Sequence, residues 1–149
     1  MERTLDTAEY LGMVVSLLRE GQRNVPVPVS GTSMAPFLHP GDTVYLNLPH
    51  GKLRKGDIVL YTRPGGRYVL HRIVGRRSDG ILLLLGDGQM AKEPVASERV
   101  CDVATAARKD GKSIDSRSLI WWFFRGPWRI FARWRPWIGK IARSFRKWL

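Results

Sequence analysis

The stretch "VPVSGTSMAPFLHPGDTVYL", Val27 to Leu46, carries the decision about this chain. Val27 and Val29 alternate with other residues, as do Val44 and Leu46, which predicts two strands. The cluster Pro40-Gly41-Asp42 between them predicts the turn that joins them. Ser33 needs a further explanation. It stands between Thr32 and Met34, just after Gly31 and three residues before Pro36. A serine so placed belongs either to an ordinary surface loop or to a rigid corner that holds a nucleophile, and local structure alone leaves both readings open.

The rest of the chain reads mostly as strands. Beyond Thr43 to Leu46, apolar or alternating runs cover Asp57–Tyr61, Tyr68–Val74, Ile81–Leu85 and Arg99–Ala104, and a short return strand falls near Ile114. Turn clusters separate them at Pro64-Gly65-Gly66, Ser78-Asp79-Gly80 and Lys109-Asp110-Gly111. Ahead of the strands, Asp6-Thr7-Ala8-Glu9 has the form of a capping box, and Leu11, Val14, Val15 and Leu18 recur at helical spacing up to Gly21. There is no alternation of strand and helix and no internal repeat. The fold class is mainly β with a short N-terminal helix, and that helix is too small to be a helix-turn-helix domain.

At 149 residues the chain is long enough for one domain with its own core. Cys101 is the only cysteine, so an intramolecular disulfide is excluded. His39, His50 and His71 share no close spacing and show no zinc motif, so neither a metal nor a cofactor is expected. The net charge of +12 is unevenly spread. From Trp121 onward there are eight basic residues and no acidic one, which leaves 17 basic against 13 acidic in the first 120 residues. All six tryptophans fall in the same tail.

His71 lies in the strand "RYVLHRIVG", and "LLLLGDGQMAKEPV" leaves another strand through Gly86-Asp87-Gly88 into a loop ending at Glu93-Pro94. A serine at a corner, a histidine on a strand and acidic groups at a strand exit therefore follow in that order. Acyl transfer needs these roles: a nucleophile, a base to take its proton and an acid to orient the imidazole. Histidine suits the base, since its ordinary pKa of about 6.5 needs little tuning at neutral pH.

With these residues in view, "SGTSMAPFLHPGD" resembles the nucleophile box shared by type I signal peptidases and the self-cleaving SOS-type repressor peptidases. "KLRKGDIVLY" (Lys52–Tyr61), "VLHRIVG" (Val69–Gly75) and "GDGQMAKEPV" (Gly86–Val95) resemble the next three boxes, in the same order. The resemblance runs from Val25 to about Ala104. It implies the mostly β peptidase fold, with Ser33 as nucleophile. His71 stands where bacterial signal peptidases place a lysine, which resembles the Ser-His pair of the endoplasmic-reticulum and archaeal branch. Asp87 matches the Gly-Asp box as third member, and Glu93 is the alternative, at a place where an aspartate is often found. Gly31 stands where many bacterial members carry an oxyanion-binding serine, so the Ser33 backbone N–H is the expected donor. The chain contains neither the Ala-Gly nor the Cys-Gly bond at which SOS-type members cut themselves, and few residues precede its β region. Cleavage of another peptide or precursor is expected, after small residues as the resemblance implies, by an enzyme dedicated to one maturation step. The rival reading is a non-catalytic module that keeps the fold and uses its tail as an anchor.

The tail "WWFFRGPWRIFARWRPWIGKIARSFRKWL" reads as a helix with Trp128, Phe131, Trp134, Ile138, Ile141, Phe145 and Trp148 at three- or four-residue steps. Pro136 should kink or divide it. Arginine, lysine and tryptophan on such a helix suit an anionic membrane surface. A protein partner is the second possibility and nucleic acid the least favoured. No secretory signal opens the chain, and no run approaches the roughly 20 apolar residues of a membrane span. The expected organisation is a lead-in over 1–24, a catalytic β domain over 25–117 and a basic amphipathic tail over 118–149. The expected location is cytoplasmic and peripheral to a membrane.

Overall fold

A computed structural model describes residues 7–132, and in it the alternating segments become one antiparallel sheet. Helix α1 (Thr7–Arg19) leads into β1 (Val25–Pro28), β2 (Thr43–Asn47), β3 (Ile58–Thr62), β4 (Tyr68–Arg76), β5 (Leu82–Leu85), β6 (Glu93–Val95), β7 (Val100–Lys109) and β8 (Lys112–Asp115). Two short helices follow, α2 (Leu119–Arg125) and α3 (Pro127–Ala132). The strands lie in the order β1-β2-β7-β3-β4-β5-β6, with β8 also paired to β7. The mainly β class with a leading helix is the architecture observed. The Asp6 cap and the tail positions from Trp134 onward, with the Pro136 kink, lie outside the described residues.

The sheet packs on both faces. Val14, Val15 and Leu18 of α1 cover Val27, Val44, Leu46, Ile58 and Leu60, joined by Met34, Phe37 and Leu38 from the segment between β1 and β2. Val59 and Tyr61 point the other way, into a smaller cluster with Ile73, Leu82, Leu84 and Val95. The run Ile58–Tyr61 is buried at four successive positions because β3 lies inside the sheet with both faces covered. β1 is the outermost strand at its end. Val29 bonds inward to the Asp42 carbonyl, so by alternation Pro26 and Pro28 face the free edge, where a missing N–H leaves no ladder bond broken. Tyr10 of α1 donates its hydroxyl to the Pro26 carbonyl (3.2 Å).

The start of the tryptophan-rich region belongs to this core. Ser118 caps α2 by accepting from the Trp121 N–H, and Trp121 is 1% exposed. Its ring meets Phe37 edge-on at 5.1 Å, and Phe124 lies 4.9 Å from the same ring. Leu119, Ile120, Trp122, Ile130 and Phe131 remain exposed. One expectation needs correction: Glu93 and Pro94 do not end a loop but begin β6, paired with Leu84 and Leu83 of β5. Its three residues, one of them proline, are too few to show alternation.

Asp102 of β7 lies opposite Leu60, fully buried, and neither carboxylate oxygen has a hydrogen-bond partner among the described residues. Burial raises its pKa to about 6, against a partial easing by the charge of Arg19. A carboxyl that holds its proton more tightly when folded makes the protein less stable as pH rises from the unfolded value, about 3.8, through about 6. The stability gained by Asp102→Asn is therefore expected to grow by roughly 2 kcal/mol between pH 4 and pH 7. Urea denaturation of both proteins at the two pH values measures it, and an equal difference at both would show that burial leaves the Asp102 carboxyl titrating as it does in the unfolded chain.

Candidate active site

Ser33 sits where β1 gives way to the segment leading to β2. Gly31 takes a positive φ of 74°, a conformation that glycine adopts without steric cost. Met34, Phe37 and Leu38, all at most 2% exposed, then fix the corner to the core while Ser33 remains partly exposed. The Ala35 N–H bonds the Thr32 carbonyl (3.0 Å), and the Leu38 N–H bonds the Met34 carbonyl (2.9 Å). A second segment leans on the corner from outside: the Gly88 N–H donates to the Ser33 carbonyl at 2.9 Å. The approach is too close for side chains. A Cβ on Gly86 would lie 2.3 Å from the Ser33 carbonyl oxygen, and one on Gly88 would lie 2.9 Å from that of Ala35. The two glycines around Asp87 are thus contact surfaces as well as turn formers.

β4 supplies both sides of the sheet with a charged or titratable group. His71, opposite Val59, shares the face of Val59 and Tyr61, and Arg72, opposite Ile58, shares the other. Both are at most 2% exposed. Arg72 grips Asp87 with two bonds, Nε to Oδ1 and a terminal nitrogen to Oδ2, each 2.8 Å. It also donates to the Gly56 carbonyl (3.0 Å) and lies 5.2 Å from the centre of the Phe37 ring. The Asp87 carbonyl accepts from the Trp128 indole (3.3 Å), which ties α3 to the same loop.

Glu93 lies on the His71 side. Pairing carries the face from Ile73 to Leu84 and from Leu84 to Glu93, so the register sets the glutamate on the face of His71 and Tyr61. The Tyr61 hydroxyl is 2.6 Å from Glu93 Oε2 and 3.1 Å from His71 Nδ1. Arg63 holds the same carboxylate, with Nε 3.0 Å from Oε1 and a terminal nitrogen 2.7 Å from Oε2. Of the residues expected at the site, the structure places Glu93 one tyrosine away from His71 and sets Asp87 against Arg72. Tyr61, Arg63 and Arg72 were not singled out in the sequence. The available signal was strand parity: Tyr61 and Arg63 share one face, and Arg72 adjoins His71.

Charge follows these contacts. Hydrogen bonding to Arg63 holds Glu93 below the usual carboxylate range despite its partial burial. Burial pushes the Tyr61 phenol up, helped by the neighbouring carboxylate. Burial, with a contribution from the Arg63 charge, lowers His71 to about 4, so its imidazole is neutral near pH 7.

Ser33 and His71 line one cavity of about 460 Å³. Its walls are Val27–Ser30 of the β1 end, Tyr68–His71 of β4 and the α1 residues Tyr10 and Leu11, with Gln89 beside the site. Two extended segments bordering an apolar trough, with a serine and a neutral histidine in it, suit an extended peptide.

The family model described as Peptidase S24-like matches residues 2–106, and the chain belongs to that family. The matched span takes in the Ser33 corner, β4 and the Gly86–Glu93 segment. A search of curated proteins gave no match.

The close approach of the loop to the corner has a direct test. Gly86→Ala is expected to cost about 1–3 kcal/mol, since its Cβ must displace the Ser33 backbone. Gly75→Ala, whose Cβ would meet Leu83 at an ordinary 3.5 Å, should cost less than half as much. Thermal unfolding of both variants measures the difference.

Proposed function

We propose that the chain is a serine endopeptidase of the Ser-His type, cutting a leader or precursor peptide after small residues. Ser33 attacks the scissile carbonyl while His71 Nε2 takes its proton, and the imidazolium then returns that proton to the leaving amine as the C–N bond breaks. Water, activated by the same histidine, hydrolyses the acyl-enzyme. The Ser33 N–H, which bonds no other group among the described residues, is the expected oxyanion donor. The observation that carries the reading is the shared cavity of Ser33 and His71, with a buried histidine kept neutral and an acid held behind it. Glu93 is the acid this arrangement supports, and Asp87 acts through Arg72 to seat the loop against Ser33. The preference for small residues and the kinship to the endoplasmic-reticulum and archaeal branch rest on the resemblance of the sequence boxes.

The test is hydrolysis of a panel of leader peptides by the full chain. Ser33→Ala and His71→Ala are expected to lose a factor on the order of 10³ or more in kcat/KM, the serine variant with unchanged stability and the variant of the buried histidine at a cost of about 2–4 kcal/mol. Asp87→Ala strands a buried arginine and is expected to lose about 3–5 kcal/mol of stability as well. In the wild type kcat/KM should stay level from neutral pH downward and fall only as pH drops through about 4, where His71 takes up a proton and can no longer act as base. Wild type without cleavage or serine labelling, folded like its variants, would favour the non-catalytic module.

The same reading holds the enzyme at an anionic membrane surface through its basic, tryptophan-rich end. Among the described residues no helix is long and apolar enough to cross a membrane. The exposed Leu119, Ile120, Trp122, Ile130 and Phe131 support an interfacial contact, where each basic residue is worth on the order of 1 kcal/mol. Full-length protein should sediment with vesicles containing anionic lipid and be released by salt. The triple change Arg143→Glu, Arg146→Glu, Lys147→Glu should lower that binding by at least tenfold, and equal sedimentation of both proteins would remove the tail from the account.

A further inference from the structure

We infer that Tyr61 is a positioning residue that fixes the tautomer of His71, so that a phenol bridges base and acid where a direct imidazole–carboxylate contact would otherwise be needed. The inference rests on the peptidase reading and adds to it a role for Tyr61, the last residue of the Lys52–Tyr61 box.

Counting protons leads there. The Tyr61 hydroxyl has one proton and two close neighbours, Glu93 Oε2 at 2.6 Å and His71 Nδ1 at 3.1 Å. Glu93 is forked by Arg63 and held ionised, so it can only accept. The phenol proton therefore goes to Glu93. The phenol oxygen turns lone-pair density to Nδ1, and Nδ1 must carry hydrogen to make that contact favourable. A neutral imidazole has a single N–H. Nε2 is left bare, as the nitrogen that must accept from a serine.

Each partner has a part in that order. Burial and the adjacent carboxylate keep the phenol protonated over the working range, so it donates throughout. Arg63 keeps Glu93 from taking a proton of its own. Register holds the group in place: Tyr61 pairs with Val69, His71 with Val59, and Glu93 with Leu84. The tyrosine is fully buried among Val59, Ile73, Leu82 and Leu84, so its ring cannot swing away without opening the smaller core cluster. When His71 accepts the serine proton, Nδ1–H is already aligned on an oxygen polarised by a carboxylate, and no group has to reorient.

The experiment uses full-length protein labelled with nitrogen-15. Long-range nitrogen–hydrogen correlations separate the two neutral imidazole tautomers, and comparison with His71→Gln assigns the signal among the three histidines. Wild type at pH 7 should show His71 as the Nδ1–H form, and Tyr61→Phe, which keeps the ring and loses the hydroxyl, should show a mixture or the Nε2–H form. Labelling of Ser33 by a fluorophosphonate is expected to slow on the order of 100-fold in Tyr61→Phe. Adding Glu93→Gln to that variant should slow it little further, because the glutamate acts through the lost hydroxyl. An Nε2–H wild type, or a Tyr61→Phe variant with unchanged tautomer and labelling rate, overturns the inference. Wild type that resists labelling at Ser33 overturns the peptidase reading instead, and the tautomer spectra still decide the role of Tyr61.

Discussion

The pairing of Arg72 with Asp87 is the constraint on which the site depends. A guanidinium without exposure has no solvent to fall back on, so its two bonds to a carboxylate, a third to a carbonyl and the face of Phe37 must all be supplied by the fold. In meeting that demand the chain brings β4, the turn after β5 and the corner residues of the β1–β2 connection to one point. Gly86 and Gly88 then lie against the Ser33 backbone because Asp87 between them is held. Such a pair is weak evidence for overall stability, since burying two charges costs about as much as their attraction returns. Its value here is positional.

His71 and Arg72 show how one strand separates two tasks. Neighbours on a strand face opposite sides, so the histidine enters the smaller cluster while the arginine enters the larger one. Both become buried and each meets a different acid. The ion pair seats the loop, and the hydrogen-bonded chain through Tyr61 and Glu93 reaches the imidazole. The two carboxylates that follow β5 are therefore not interchangeable, although six residues apart in sequence they look like rivals for one role.

Much of this could be read from the residues, and what could not has definite causes. Strands β2, β3, β4, β5 and β7 declare themselves because alternation or an apolar run is bounded by Gly, Pro or Asp turns. The Ser33 corner and His71 stand out for their residue types and surroundings. β6 was hidden because three residues, one a proline, carry no period. The link from Tyr61 to Glu93 was hidden for a different reason: 32 residues separate them, and only the register across β3, β4, β5 and β6 brings them together. At "WWFF" four aromatics in succession conceal which ones face inward. Packing on Phe37 selects Trp121 and Phe124 and leaves Trp122 to solvent.

The prolines of β1 have a consequence beyond their local fit. An outermost strand ordinarily shows donors and acceptors in alternation and so invites a second copy to extend the sheet. Here the edge has carbonyls at Pro26 and Pro28 and no N–H at either, and the Pro26 oxygen is already engaged by Tyr10. Two copies brought together along β1 would set carbonyl against carbonyl. A guest that brings its own N–H groups can donate to the Pro28 carbonyl, but its carbonyls find no donor at Pro26 or Pro28. The prolines that fit β1 to its place thus also guard that edge against polymerisation.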